Sequence, residues 1–249
     1  MSTFEEYSNY YDLLYQDKNY NEEVDYVDGL IKRNKPNAKT LLDLGCGTGR
    51  HNALFEKKGY KTTGVDISHE MIKKAKSTYP LDFMQSDIRS LQLEKKYDVI
   101  VSLFHVMSYQ TTNEDLTGVF NSAKKHLNPN GLFVFDCWYG PAILNDQPVT
   151  RIKRMEDDKI DVTRLSESVL HANTNVVDVT FEVFIKNKMT SDVKKIKELH
   201  SMRYLFYPEI LKYAKLEGFE VKVFEEWLTG KKPDLNSRNV VFVCSLVNN

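Results

Sequence analysis

The sequence predicts an α/β protein: a parallel sheet with helices on both faces, interrupted by an antiparallel β insertion before the last helix and strands. Three observations lead there. Short apolar runs alternate with helical periodicity from Thr40 to Asp136. A glycine-rich turn, Gly45-Cys46-Gly47-Thr48-Gly49, closes the first apolar run. From Val149 to Phe206 the texture changes to strand-favouring runs with no clear helix between them.

Each element has a local reason. Val24, Val27, Leu30 and Ile31 recur at helical spacing, which predicts a helix over Tyr20 to Arg33. A loop holding Pro36 leads to a buried strand, Thr40 to Leu44. After the glycine turn a helix runs through Lys57 and stops at Gly59. Lys61 to Asp66 reads as the second strand, and Ser68 as the N-cap of a helix over Glu70 to Ser77. Leu81 to Gln85 and Tyr97 to Leu103 are the third and fourth strands. A helix over Glu114 to His126, stopped by Pro129 and Gly131, precedes the fifth strand, Leu132 to Asp136. The insertion comprises Val149 to Met155, Asp161 to Leu170, Val176 to Ile185 and Ile196 to Phe206. Pro208 opens a helix to Lys215, ended by Gly218, and strands Phe219 to Trp227 and Asn239 to Leu246 follow. A β insertion after the fifth strand falls near the carboxyl ends of the parallel strands. Open α/β sheets bind ligands there, so the insertion reads as a wall over a site.

Composition narrows the function. The 249 residues suit one domain, and 41% hydrophobic with 28% charged residues is globular composition. A formal net charge of -1 offers no footprint for nucleic acid or an anionic membrane. The lysines between Lys186 and Lys197 read as a solvated hairpin. Met1 to Tyr15 has neither a basic nor an apolar stretch, and no apolar run approaches the ~20 residues of a membrane helix. Cys46, Cys137 and Cys244 are isolated, and the six histidines show no metal-ligand spacing. A cytoplasmic protein without a catalytic metal is expected, as a monomer or homodimer.

The chemistry concentrates at successive strand ends. Glycines at the first strand-to-helix turn allow a sharp bend and close approach of a ligand. The third glycine comes one place earlier than in the dinucleotide fingerprint, which disfavours a nicotinamide cofactor, and no triphosphate P-loop is present. Val65-Asp66-Ile67 ends the second strand, where a carboxylate can accept from both hydroxyls of a ribose. Ser86-Asp87-Ile88 follows the third strand, placed to meet an adenine amino group. His200 and Arg203 fall on opposite faces of one strand, so at most one of them faces a pocket.

Taken in order, L-L-D-L-G-C-G-T-G, V-D-I-S, S-D-I, Y-D-V-I-V-S and L-N-P-N-G-L-F-V-F-D resemble the motif series of class I S-adenosylmethionine-dependent methyltransferases, over Thr40 to Asp136. The resemblance implies a Rossmann-like sheet and S-adenosylmethionine as cofactor. It implies that Gly45, Cys46 and Gly47 cradle the methionyl part, with Asp43 orienting the turn. Asp66 would hold the ribose, with Ile67 beside it in the cofactor site, Asp87 with Ile88 would meet the adenine, and the Leu103 carbonyl region the methionyl ammonium. A narrower resemblance is to N-methyltransferases of nucleotide-linked amino sugars. It rests on Tyr7-Ser8, Tyr11-Asp12-Leu13, Gln16-x-Lys18-x-Tyr20, His51, the β insertion, and the Leu205-Phe206 strand leading into the last helix. Ser237-Arg238 comes close to the family pattern but lacks its surrounding glycines. By that resemblance Tyr11 and Tyr20 help enclose the cofactor, Tyr7 and Tyr109 meet the acceptor, and Arg238 meets a pyrophosphate. Tyr109 and His105 are the catalytic candidates.

The expected organisation is a single domain. It has a cofactor-enclosing segment (1–39), a cofactor-binding core (40–140), an acceptor-site wall (141–206) and a C-terminal helix with strands (207–249). The expected reaction is methyl transfer to a small molecule. Loops rich in tyrosine and poor in strong bases favour an amine over a hydroxyl, since an amine needs only to arrive neutral. The competing readings are O- or C-methylation of another small metabolite and a non-catalytic adenosine-ligand binding protein on the same fold.

Overall fold

The computed structural model describes Leu14 and residues 18–247. It opens with helix α1 (Tyr20–Asn34), held at its start by Asn19, whose side chain accepts from the Glu22 N–H. The core then alternates: β1 (Thr40–Leu44), α2 (Arg50–Lys57), β2 (Lys61–Asp66), α3 (His69–Thr78), β3 (Asp82–Gln85) and β4 (Tyr97–Ser102). A 3-10 turn (Val106–Tyr109) leads to α4 (Asn113–His126) and β5 (Leu127–Trp138). Ser68 caps α3 through Met71, and Thr112 with Asp115 forms a capping box on α4. No described helix is long and apolar enough to cross a membrane.

The main sheet has seven strands in the order β10-β11-β5-β4-β1-β2-β3, where β10 (Phe219–Glu226) and β11 (Asn239–Leu246) come last in the chain. From β5 to β3 the pairings are parallel, and β11 runs antiparallel to both β5 and β10. Alternation along β1 sorts the two faces. Leu41 packs with Val27, Ile31 and Phe55 of α1 and α2, while Leu42 and Leu44 pack with Leu116 and Phe120 of α4 and with Ile210 of α6 (Tyr207–Leu216). Strand order reverses between β1 and β4. The crevice at such a reversal is where this kind of sheet takes a ligand.

The insertion is a separate four-stranded antiparallel sheet: β6 (Arg151–Glu156), β7 (Ile160–His171), β8 (Val176–Asn187) and β9 (Val193–Arg203). Its inward face carries Val162, Val183 and Ile196, which close over Leu14 and Met71 of α3. A short seam ties it to the core. Leu205 N–H donates to the Trp138 carbonyl (2.8 Å), and Gly140 N–H donates to the Leu205 carbonyl (2.9 Å). The seam ends β9 at Arg203, earlier than the apolar run suggested.

Two further elements depart from expectation. Helix α5 (Gly140–Asn145) falls in a stretch to which the sequence assigned no element, although the proline of Gly140-Pro141 is well placed in a first helical turn. Strand β5 begins at Leu127, ahead of the predicted Leu132, and passes Pro129 and Gly131 through a register irregularity against β4.

The centre of the α4 face is aromatic. Phe120 is fully buried, with its ring 5.5 Å from Phe133, 5.8 Å from Phe135 and 5.9 Å from Phe219. Phe120→Ala is expected to destabilise the fold by about 3–5 kcal/mol. The urea midpoint should fall with an unchanged slope.

Candidate active site

A cavity of about 530 Å³ opens at the carboxyl ends of β1 and β4 and continues under the insertion sheet. One half is built from core turns. Gly45, Cys46 and Gly47 line it from the turn after β1, Asp66 and Ile67 from the end of β2, Asp87 and Ile88 from the loop after β3, and Leu103 and His105 from the turn after β4. The other half joins Tyr109 and Gln110 to Trp138 and to Arg164, Phe181, His200 and Met202 of the insertion.

The glycine turn requires its glycines. Gly45 has φ +86°, and a β-carbon there would lie 2.5 Å from Val106 Cγ2. Gly47 has φ +53°, and a β-carbon there would meet nothing within 4 Å, because that side of the turn is open space. Asp66 holds the turn in place. Its Oδ2 accepts from Gly47 N–H (2.9 Å) and its Oδ1 from Ser68 N–H (2.8 Å). Burial pushes this carboxyl up from its usual range, while the N–H groups of Ser68, Gly47 and Ile67 draw it back. A carboxylate has about four acceptor sites, so capacity remains for a ligand.

Beneath the turn, Asp43 is buried and its Oδ2 has no hydrogen-bond partner among the described residues. Burial, with Asp66 nearby, pushes its carboxyl up to about 8. Cys46 stays a neutral thiol, raised by burial and then by Asp66. Asp87 is gripped by Arg89, whose Nε lies 2.9 Å from Oδ1 and Nη2 2.6 Å from Oδ2. That guanidinium holds the Asp87 carboxyl below its usual range.

The turn after β4 is strained. Phe104 (φ +66°) and His105 (φ +64°) are consecutive non-glycine residues in the left-handed region, a conformation that persists only when its surroundings enforce it. Asp136, buried at the end of β5, does so. Both its oxygens lie 3.2 Å from the His105 backbone N–H, which donates to them. Its Oδ2 is 2.7 Å from His105 Nδ1, but off the direction of a ring N–H, so that contact is electrostatic rather than a directed hydrogen bond.

The remaining predicted residues are placed as follows. Tyr109 lines the cavity, its hydroxyl 2.8 Å from His200 Nδ1. Tyr20 does not line it. Its ring packs edge-on against His51 at 5.1 Å, and His51 is the wall residue. Asp43 lies behind the turn rather than on the cavity surface. Tyr7 and Tyr11 lie outside the described residues. Arg238 is a correction: it is absent from the cavity wall and pairs instead with Asp146 at the end of α5 (2.8 Å). The helix that the sequence concealed brings that carboxylate within reach. Of the pair on β9, His200 faces the cavity, while Arg203 is tied to Asn113 and Glu209.

Sequence reasoning missed Asp136, Arg164, Phe181 and Met202. Asp136 ends a recognised strand, so its position carried a signal. The three insertion residues acquire their roles only when that sheet folds back over the core.

A model described as "Methyltransferase domain" matches residues 41–131. The chain is 32% identical over 221 residues to a dTDP-3-amino-3,4,6-trideoxy-alpha-D-glucopyranose N,N-dimethyltransferase of Streptomyces venezuelae, covering 86% of this chain and 93% of that protein. It belongs to the S-adenosylmethionine-dependent methyltransferases. The crystal structure of Streptomyces venezuelae DesVI superposes with a TM-score of 0.82 at 25% identity, over 97% of this chain and 98% of that one. A Clostridium acetobutylicum S-adenosylmethionine-dependent methyltransferase superposes with a TM-score of 0.84 over 99% of this chain and all of that one; at 21% identity the likeness is one of fold.

The site of this methyltransferase fits the cofactor. S-adenosylmethionine carries a sulfonium and an ammonium, and the Asp66 carboxyl lines the cavity at the glycine turn with acceptor capacity to spare, while Asp43 lies buried behind that turn and Asp136 holds the turn after β4. When bound, the cofactor supplies an electrophilic methyl group.

The raised Asp43 carboxyl has a consequence for stability in the absence of cofactor. Its folded value, about 8, lies above the ordinary value of 3.8. Between those limits the folded state holds a proton that the unfolded state has lost, so the contribution is full below pH 4 and gone above pH 8. Cofactor-free protein is expected to lose urea stability as pH rises from 5 to 8, and Asp43→Asn should flatten that slope.

Proposed function

We propose that this methyltransferase N-methylates an amino group on a nucleotide-linked sugar. The observation that carries the reading is near-full-length kinship with a dTDP-amino-sugar N,N-dimethyltransferase, combined with a cavity long enough to run from the glycine turn to the insertion sheet. In this reading the core half takes S-adenosylmethionine. Gly45, Cys46 and Gly47 bound its methionyl part, with Asp43 behind them. Asp66 and Ile67 take the ribose, Asp87 and Ile88 the adenine, and the Leu103 carbonyl the ammonium. His105, fixed by Asp136, stands between the two halves. Alignment and exclusion of water are the protein's main contributions, and positioning alone can supply ~7–11 kcal/mol.

The insertion half takes the acceptor. Arg164 supports an anionic one. Its guanidinium carbon lies 4.4 Å from the Phe181 ring centroid, its Nε is buried without a hydrogen-bond partner, and it makes no ion pair among the described residues. A planar guanidinium kept from carboxylates in a cavity wall suits a diphosphate, which it can grip with two N–H groups. Arg164 therefore takes the part that the sequence assigned to Arg238. Tyr109, in the wall of the same cavity, meets the amine.

Formation of S-adenosylhomocysteine is expected only when a dTDP-linked amino sugar is supplied, with product mass rising by one or two methyl groups. Turnover with hydroxyl acceptors alone would overturn the proposal. Asp66→Ala should weaken S-adenosylmethionine binding about 10- to 100-fold by calorimetry while the fold survives, because a hydrogen bond to a charged group contributes roughly 1.5–3 kcal/mol. Arg164→Met should raise KM for the sugar nucleotide by about tenfold or more and leave kcat nearly unchanged, since it removes binding remote from the reacting nitrogen.

A further inference from the structure

We infer that Tyr109, His200 and Glu198 form a proton relay that neutralises the acceptor's ammonium in place, with Tyr109 touching the acceptor, His200 receiving the proton and Glu198 positioning His200. The inference rests on the amine-acceptor reading above.

The chain of contacts is short and starts at the cavity. Tyr109 Oη lies 2.8 Å from His200 Nδ1, and His200 Nε2 lies 3.4 Å from Glu198 Oε2. Tyr109 and His200 both line the cavity, whereas the His200 and Glu198 side chains are only 1% and 3% exposed. A carboxylate beside Nε2 favours the tautomer with hydrogen on that nitrogen. Nδ1 then accepts from the Tyr109 hydroxyl, the polarity a relay away from the cavity needs. Among the described residues, four elements lie around the ring. The 3-10 turn contributes Tyr109, β9 contributes Glu198, β8 contributes the uncharged Phe181 (4.9 Å), and β7 contributes Arg164 across that phenyl ring.

A proton acceptor is needed because amines of this kind are mostly protonated near neutral pH and an ammonium has no lone pair to attack with. As the acceptor nitrogen gives its proton to Tyr109 Oη, the tyrosine's own proton passes to His200 Nδ1. The pair left on nitrogen is the one that forms the new N–C bond. His200 ends as an imidazolium beside Glu198 and discharges to solvent before the next turnover. Each methyl added to the same nitrogen requires one such cycle, so a dimethylation uses the relay twice.

Two measurements test this, and they separate the relay from the acceptor assignment. The first needs no acceptor: ring ¹⁵N shifts of His200 in cofactor-free protein near pH 7.5. The expected result is hydrogen on Nε2, with Tyr109→Phe shifting Nδ1. Hydrogen on Nδ1 would overturn the relay. The second is kcat with saturating amine acceptor in Tyr109→Phe, His200→Gln and Glu198→Gln, compared at pH 7 and pH 9.5. An amine of pKa about 8–9 is neutral in roughly 1–10% of molecules at pH 7, so the first two variants should lose about 10- to 100-fold there, and Glu198→Gln less. At pH 9.5 all three should come within about threefold of the parent, because the amine then arrives neutral. A deficit equal at both pH values reflects disturbed packing and would overturn the relay. If nucleotide-linked amino sugars are not methylated but another amine is, the acceptor assignment fails and the relay is tested on that amine.

Discussion

Much of this site hangs on one carboxylate. Asp66 receives N–H groups from the glycine turn after β1 and from the start of α3, so a single side chain joins two consecutive βα units at the edge of the cavity. The turn it holds cannot be built otherwise. Two positive φ angles and the approach of Val106 leave no room for a side chain at Gly45. The geometry that makes the turn tight also points backbone toward a ligand rather than side chains, which is how a sheet end becomes a cofactor site.

Strain on the neighbouring turn serves the same end. Phe104 and His105 occupy a backbone region that bulky residues rarely adopt, and Asp136 holds them there from a buried position. The result is that β4 stops abruptly and its next residues swing into the cavity. Lys18 reaches this turn from the other side, its ammonium 3.5 Å from the Phe104 ring centroid and 2.8 Å from Glu23. Burial lowers the Lys18 pKa, and Glu23 and Asp136 counter that effect. The entry to α1 is thereby tied to the strained turn.

The insertion gives an open crevice a second wall. Its seam to the core is small, a parallel bridge between Tyr139 and Leu205, but it fixes the angle at which Phe181, His200 and Met202 face the core. Enclosure matters for this chemistry because water competes with the acceptor and weakens every electrostatic contact. Leu14 contributes as well: it is buried between Met71 and the inner face of the insertion, and its carbonyl accepts from Lys153 Nζ (2.8 Å).

Local chemistry wrote the core of this protein into its sequence. Periodicity, caps and glycines act over a few residues, so β1 to β4, α2 and α3 were legible, and the carboxylates Asp66 and Asp87 at strand ends with them. Element boundaries were lost where longer-range pairing decided them, as at Leu127, which β4 recruits into β5, and at Arg203, where the seam to Trp138 takes over. Helix α5 hid behind Gly140-Pro141, and with it went the partner of Arg238. The acceptor wall was the least legible part. An alternating strand announces two faces but not which one meets the core, so Arg164 and Phe181 looked like ordinary sheet residues. His200 was narrowed to one of two faces by spacing alone. Only the tertiary fold, by bringing β9 against the 3-10 turn some ninety residues away in sequence, placed it on Tyr109.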